Sequence, residues 1–180
     1  METKKEEQFE KLSDVGLWIE DYEYIFSDFD SRPYSQKLLS EDLLSEMNRV
    51  VKDKKEGKFE IKFFVPKKER NLGKEKIIKK RIKEHFKNHL THLKISQKKL
   101  FRQGILFIFL GILFMTFVTF FLTNQTSSYI ITFLVVISEP AGWFLFWEGL
   151  NLLIFESKKR FPELKFYQKM TKTQVEFVGA

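Results

Sequence analysis

Two apolar runs constrain this chain more than anything else in it. Residues 103–123, QGILFIFLGILFMTFVTFFLT, carry no charged side chain, and residues 128–147, SYIITFLVVISEPAGWFLFW, carry one, Glu139. A helix needs about 20 apolar residues to cross a bilayer. The runs predict two spanning helices, at about 103–123 and 128–148, within a hairpin over 103–155. Only Asn124, Gln125, Thr126 and Ser127 separate them, so the two ends of the hairpin lie on one side. Neither run is a signal peptide, because both lie past residue 100 without the charged, apolar and cleavage regions in order. The overall mean hydropathy of −0.26 averages these runs with a strongly charged remainder.

Charge sets the expected orientation. Lys98, Lys99 and Arg102 precede the first run, Lys158, Lys159 and Arg160 follow the second, and the link between the runs is uncharged. The positive-inside rule then puts both termini in the cytoplasm of a prokaryotic cell and makes these six side chains a basic collar facing anionic lipid headgroups. Tyr129 falls near the outer interface, and Trp143 and Trp147 toward the inner one, as amphipathic rings favour. Asn124-Gln125-Thr126 has the glycosylation pattern but reads as a polar hairpin turn. Residues 1–30 hold 3 basic and 10 acidic side chains, whereas 74–102 hold 11 basic and 2 acidic. The basic excess thus lies directly before a span, which favours lipid over nucleic acid as its partner.

The rest predicts a small α+β domain. Residues 1–14 are a loose acidic tail. In a domain at 15–73, Val15–Tyr22 reads as a strand and 26–35 as a loop rich in turn formers. Ser40 is a candidate N-cap for a helix over 41–53, where Leu43, Leu44, Met47, Val50 and Val51 recur at helical spacing. After a turn at 54–57, 58–65 alternates as a strand ended by Pro66. A basic loop runs to Gly73. From Lys74, Ile78, Ile82, Phe86, Leu90 and Leu93 mark a basic juxtamembrane helix, 74–102, continuous with the first span or bent near Gly104. Pro162 is expected to end the second long helix, and a basic C-terminal segment, 156–180, carries a short strand over 173–178. The fold class is a cytosolic β-α-β-α domain, with a third strand returning from the C-terminus, on a two-helix transmembrane hairpin.

The order of IFSDFDSRPY, FRQGILFIFLGILF, GWFLFWEGLNLLIFESKKRF and KMTKTQVEFV resembles a family of small uncharacterised prokaryotic two-span membrane proteins with a cytosolic α+β domain. The positions that carry the likeness are Asp30–Tyr34, His85-Phe86, Gly104, Gly111, Gly142-Trp143 and Trp147. Glu148, Gly149 and Asn151 stand where that pattern has a basic residue, a proline and later an acid. The resemblance implies a topology and brings no activity with it.

Glu139 is the residue most in need of an account. A charge at mid-bilayer costs ~2.5–3.5 kcal/mol on insertion scales, and the other span offers no cation. The neutral acid is the cheaper form. It could donate to Thr116, to Thr119 or to a backbone carbonyl released by Pro140, which has no amide hydrogen. A structural kink, an oligomer contact and a proton or cation path all remain open. Gly104 and Gly111, like Gly142 and Gly149, are seven residues apart, so each pair shares a helix face that allows close backbone approach, within one hairpin or between copies.

No Cys is present, which removes disulfides, thiolate zinc sites and Cys nucleophiles. His85, His89 and His92 line one helix side without an acid to complete a metal site and read as half-buried. Asp28, Asp30 and Arg32 suit turn chemistry better than Mg²⁺ binding. There is no P-loop, GxGxxG, GxSxG or HExxH. The expectation is a membrane-anchored binding or assembly module with no catalytic residues, no metal and no cofactor. Its partners are anionic bilayer lipid and a second copy or another membrane protein. The alternatives are a proton- or ion-handling oligomer built around Glu139 and a membrane-tethered ligand sensor.

Overall fold

The computed structural model describes residues 15–53, 60–124 and 128–180. The expected tail at 1–14, the turn at 54–57 with the first two residues of the second strand, and Gln125–Ser127 of the hairpin link lie outside them. The chain divides into a sheet unit, residues 1–91 with 165–180, and a hairpin unit, residues 92–164.

In the sheet unit, strand β1 is Val15–Trp18, helix α1 Glu41–Asp53, strand β2 Glu60–Val65 and strand β3 Gln174–Gly179. All three strands are parallel, in the order β1-β2-β3. Parallel neighbours need a crossover between them. α1 supplies the first. The second runs from β2 to β3 through everything between residues 66 and 173, including both long apolar helices. One sheet face pairs Leu17 with Phe63 and Phe63 with Phe177, and Ile61, Phe63 and Val65 along it are fully buried. The core is completed by Met47 and Val51 of α1 and by Ile78, Ile82 and Phe86, all but lost to solvent. Phe63 stacks on Phe177 with centroids 5.3 Å apart, and Tyr22 meets Phe177 edge-on at 5.7 Å. On the opposite sheet face Gly16 lies against Phe64, and a Cβ there would stand 2.9 Å from its ring, so the ring would have to shift.

Helix α2 is Leu72–Thr123, so the basic segment and the first apolar run form one helix in secondary structure. Helix α3 is Tyr129–Asn151, followed by a π-helical turn, Leu152–Glu156, and a one-turn helix, Ser157–Lys159. Both long helices are apolar enough to cross a membrane, with 11% and 17% of their most apolar windows buried.

Several boundaries differ from the sequence expectation, each for a local reason. β1 stops at Trp18 rather than running to Tyr22, because the Asp21 side chain accepts from the Glu23 amide (3.1 Å) and turns Tyr22–Ile25 into a 3-10 helix. α2 begins at Leu72, inside the expected loop, because the Asn71 side chain accepts from the Lys74 amide at 3.0 Å; Asn is a strong helix-start residue. The helical run from Tyr129 ends at Lys159, just before Pro162 as expected, but a further helix follows at once. Pro162 sits in the first turn of this helix α4, Phe161–Met170, where its missing N–H is no loss.

Candidate functional site

The hairpin unit gathers most of the residues singled out from sequence. Gly104, Gly111 and Val118 of α2 are buried, as are Val135, Ser138, Gly142 and Gly149 of α3. Spacings of three, four and seven keep each set on one helix face, the geometry of a left-handed helix pair. The four glycines pack across that seam. A Cβ on Gly111 would lie 2.7 Å from the Phe146 nitrogen and 2.8 Å from the Gly142 carbonyl oxygen, and one on Gly149 would lie 2.7 Å from the Gly104 oxygen. Backbone meets backbone at Gly111 and Gly149, so neither position admits a larger residue without shifting the helices.

That register continues toward the basic ends of the hairpin. Gly104 lies beside Gly149 and Leu153, and beyond them Arg160 donates to the Ser96 hydroxyl. Lys98, Lys99 and Arg102 are exposed, as are Lys158 and Lys159, while Arg160 is half-buried. Lys159 pairs with Glu156. The two basic clusters therefore occupy the same end of the helix pair. A groove on α2 is lined by Lys98, Lys99 and Arg102 together with Ile95, Leu106 and Phe109.

Glu139 points elsewhere. Its side chain is exposed, next to exposed Pro140, and the seam residues to either side of it are Ser138 and Gly142. The expected bonds to Thr116 and Thr119 do not form. Both hydroxyls donate into their own helix, to the carbonyls of Ile112 (2.8 Å) and Met115 (2.9 Å). The Glu139 carboxyl has no hydrogen-bond or ion-pair partner among the described residues. Glu148, by contrast, accepts from Asn151 at 3.3 Å. Tyr129 is 88% exposed, and Trp143 and Trp147 stack on each other at 6.1 Å on the outside of α3.

In the sheet unit the Asp28–Arg32 loop is a brace. Asp30 accepts from the Arg32 guanidinium (2.9 and 2.7 Å), the Arg32 amide and the Leu38 amide. The guanidinium first, then the Leu38 amide, holds its carboxyl far below the usual range. Those bonds occupy the oxygens a cation would need, and no cluster of three metal-ligating side chains occurs among the described residues. His85 and His89 are half-buried and His92 exposed. Burial, with repulsion from His89 behind it, lowers His85 to about 4, and its Nε2 is buried with no hydrogen-bond partner among the described residues. His89 stacks on Tyr167 at 4.3 Å.

Sequence reasoning missed the buried ion pair of this unit. Glu75, 3% exposed, takes two bonds from Arg70 (3.0 and 2.9 Å) and one from the Tyr22 hydroxyl (2.9 Å), which itself accepts from the Asn71 amide. Arg70 chiefly lowers Glu75, while burial raises Tyr22. The available signal was an acid in the first turn of a helix that is otherwise basic. Comparison with family models, characterised proteins and solved structures finds no match to this chain.

Proposed function

We propose that this chain is an integral protein of a prokaryotic cytoplasmic membrane, with both termini cytoplasmic, that anchors its α+β unit as a binding or assembly module. The observation that carries the reading is the inverted packing of the hairpin. Its smallest residues are buried, while Phe109, Ile112, Leu113, Phe120, Ile130 and Phe133 are each at least 50% exposed. Such a surface is unfavourable in water and ordinary in hydrocarbon. The uncharged end of the hairpin and the basic end fit translocated and cytoplasmic sides respectively. The collar adds attraction to anionic lipid, screened by salt. No catalytic role is part of the proposal, and the resemblance to two-span membrane proteins agrees with it without supplying an activity.

The test is membrane retention under alkaline carbonate, combined with reporters fused to the C-terminus. The expected result is a pellet-bound chain whose cytoplasm-active reporter works and whose export-dependent reporter does not. Release by carbonate, or activity of the export-dependent reporter, rejects the anchoring or the orientation.

A further inference from the structure

Helix α3 carries a second stripe besides the glycine seam. Thr132, Val136, Glu139, Trp143 and Trp147 follow one another at spacings of four, three, four and four, so they share one face of the helix. All five are exposed, and Val136, Trp143 and Trp147 are 62%, 54% and 58% exposed. The intrachain seam uses Val135, Ser138, Gly142 and Gly149 and leaves this stripe without a partner inside the hairpin unit. Two polar needs sit at its centre. The Glu139 carboxyl has no hydrogen-bond partner among the described residues. Pro140, inside the helix, has no N–H, so the carbonyl of Val136 loses the donor that a helix normally supplies four residues on.

Resting on the membrane reading above, we propose that this stripe is the contact between two copies of the chain, with the carboxyl group of each Glu139 hydrogen-bonded to the Val136 carbonyl of the other. Copies inserted in the same orientation place their α3 helices parallel, related by a two-fold along the membrane normal. In that arrangement like residues meet at like depth. Helix side chains tilt toward the N-terminus, while helix carbonyls project toward the C-terminus. The carboxyl of residue 139 and the carbonyl oxygen of residue 136 therefore converge on one level. A two-fold then satisfies all four groups at once, because donor and acceptor lie on the same self-complementary patch. A partner of different sequence would have to supply both an acceptor and a donor at that depth; a second copy has them already. In hydrocarbon no water competes for either group, so an unpaired carboxyl has reason to seek this contact. The small seam holds each hairpin together, and the acid-centred stripe joins two hairpins.

The chain has no Cys, so single-Cys variants crosslink without background. In native membranes of cells making the full chain, Val136→Cys should yield an oxidant-dependent homodimer. Leu134→Cys, also exposed but on another face, should not. Adding Glu139→Leu to Val136→Cys should cut the dimer several-fold, and adding Glu139→Gln, which keeps a donor, should preserve it. Equal crosslinking at 134 and 136, no homodimer at 136, a heterologous adduct in its place, or indifference to Glu139→Leu would each overturn the proposal. Each would leave the membrane reading standing if the chain stays with carbonate-washed membranes. A chain that washes off rejects both.

Discussion

The sheet unit and the hairpin unit bury opposite kinds of residue. In the first, the fully buried side chains are large: Phe26, Phe63, Phe86, Met47 and four isoleucines. Its charges are exposed or paired, as in Arg70–Glu75 and Arg32–Asp30. In the second, the buried positions of the two long helices are four glycines, a serine and two valines, while Phe109, Phe120, Phe133 and Phe144 are exposed. Water rewards hiding apolar area, so the sheet unit is organised around volume. Lipid gives no such reward, so helices there associate through close backbone approach. On the proposed membrane reading, the contrast is between a unit packed for water and a unit packed for lipid.

The largest expected effect comes from one substitution made in both units. Phe63→Ala removes a side chain fully buried against Phe177 and should cost about 3–5 kcal/mol. Phe109→Ala, at a side chain 60% exposed on the hairpin, should change stability by less than about 0.5 kcal/mol. Denaturant midpoints of the purified chain in mild detergent, followed separately by sheet and helix signals, give both values. Equal losses would erase the distinction between the units.

A smaller effect tests the seam. Gly111→Ala places a methyl against the Phe146 nitrogen and the Gly142 oxygen, neither of which can swing aside. Overpacking of this kind should cost about 1–3 kcal/mol. Gly104→Ala meets first the flexible end of Leu153, at 2.8 Å, and the Gly149 oxygen only at 3.1 Å, so it should cost less. SDS titration of helicity should rank wild type, Gly104→Ala and Gly111→Ala in falling order. If Gly111→Ala were neutral, backbone contact would not be what holds the hairpin.

The same contrast explains what could be read from the chain alone. The two long apolar helices were legible from the length of their uncharged runs, and the seven-residue glycine spacings marked the face on which they pack. The helix at 41–53 was legible from its apolar period. The parallel sheet was not: strand direction depends on crossovers, and the second crossover spans more than a hundred residues. The helix at Phe161–Met170 was hidden because Pro162 reads as a stop signal when the position within the first turn is unknown. Glu75 looked like one more charge on a basic helix, since its partners, Tyr22 and Arg70, reach it only after folding. The direction of Glu139 was not legible, because i+1 from a seam residue is a different face and only packing says which face is used.

The smallest expected effect separates the units by pH. His85 is half-buried, faces Phe86 edge-on, and has Arg81 and His89 as its charged neighbours. Its folded value of about 4 lies below the ordinary 6.5. Below pH 6.5 the unfolded chain takes up a proton that the folded chain refuses, so stability falls as pH drops from 6.5 toward 4. At pH 5 the loss relative to pH 7 should reach at most about 2 kcal/mol. Glu23, Asp30 and Glu75 act in the same direction but later, because their values are held below those of ordinary carboxylates and their contribution is lost only under more acid conditions. His85→Phe keeps an aromatic ring beside Phe86 and removes the titrating group. Its denaturation midpoint for the sheet signal should therefore be flat between pH 7 and 5, where wild type declines. The hairpin signal should be flat in both proteins, since no histidine lies in its seam. A wild-type sheet signal that does not change over that range would mean that water reaches His85 freely and that burial is not what sets its protonation.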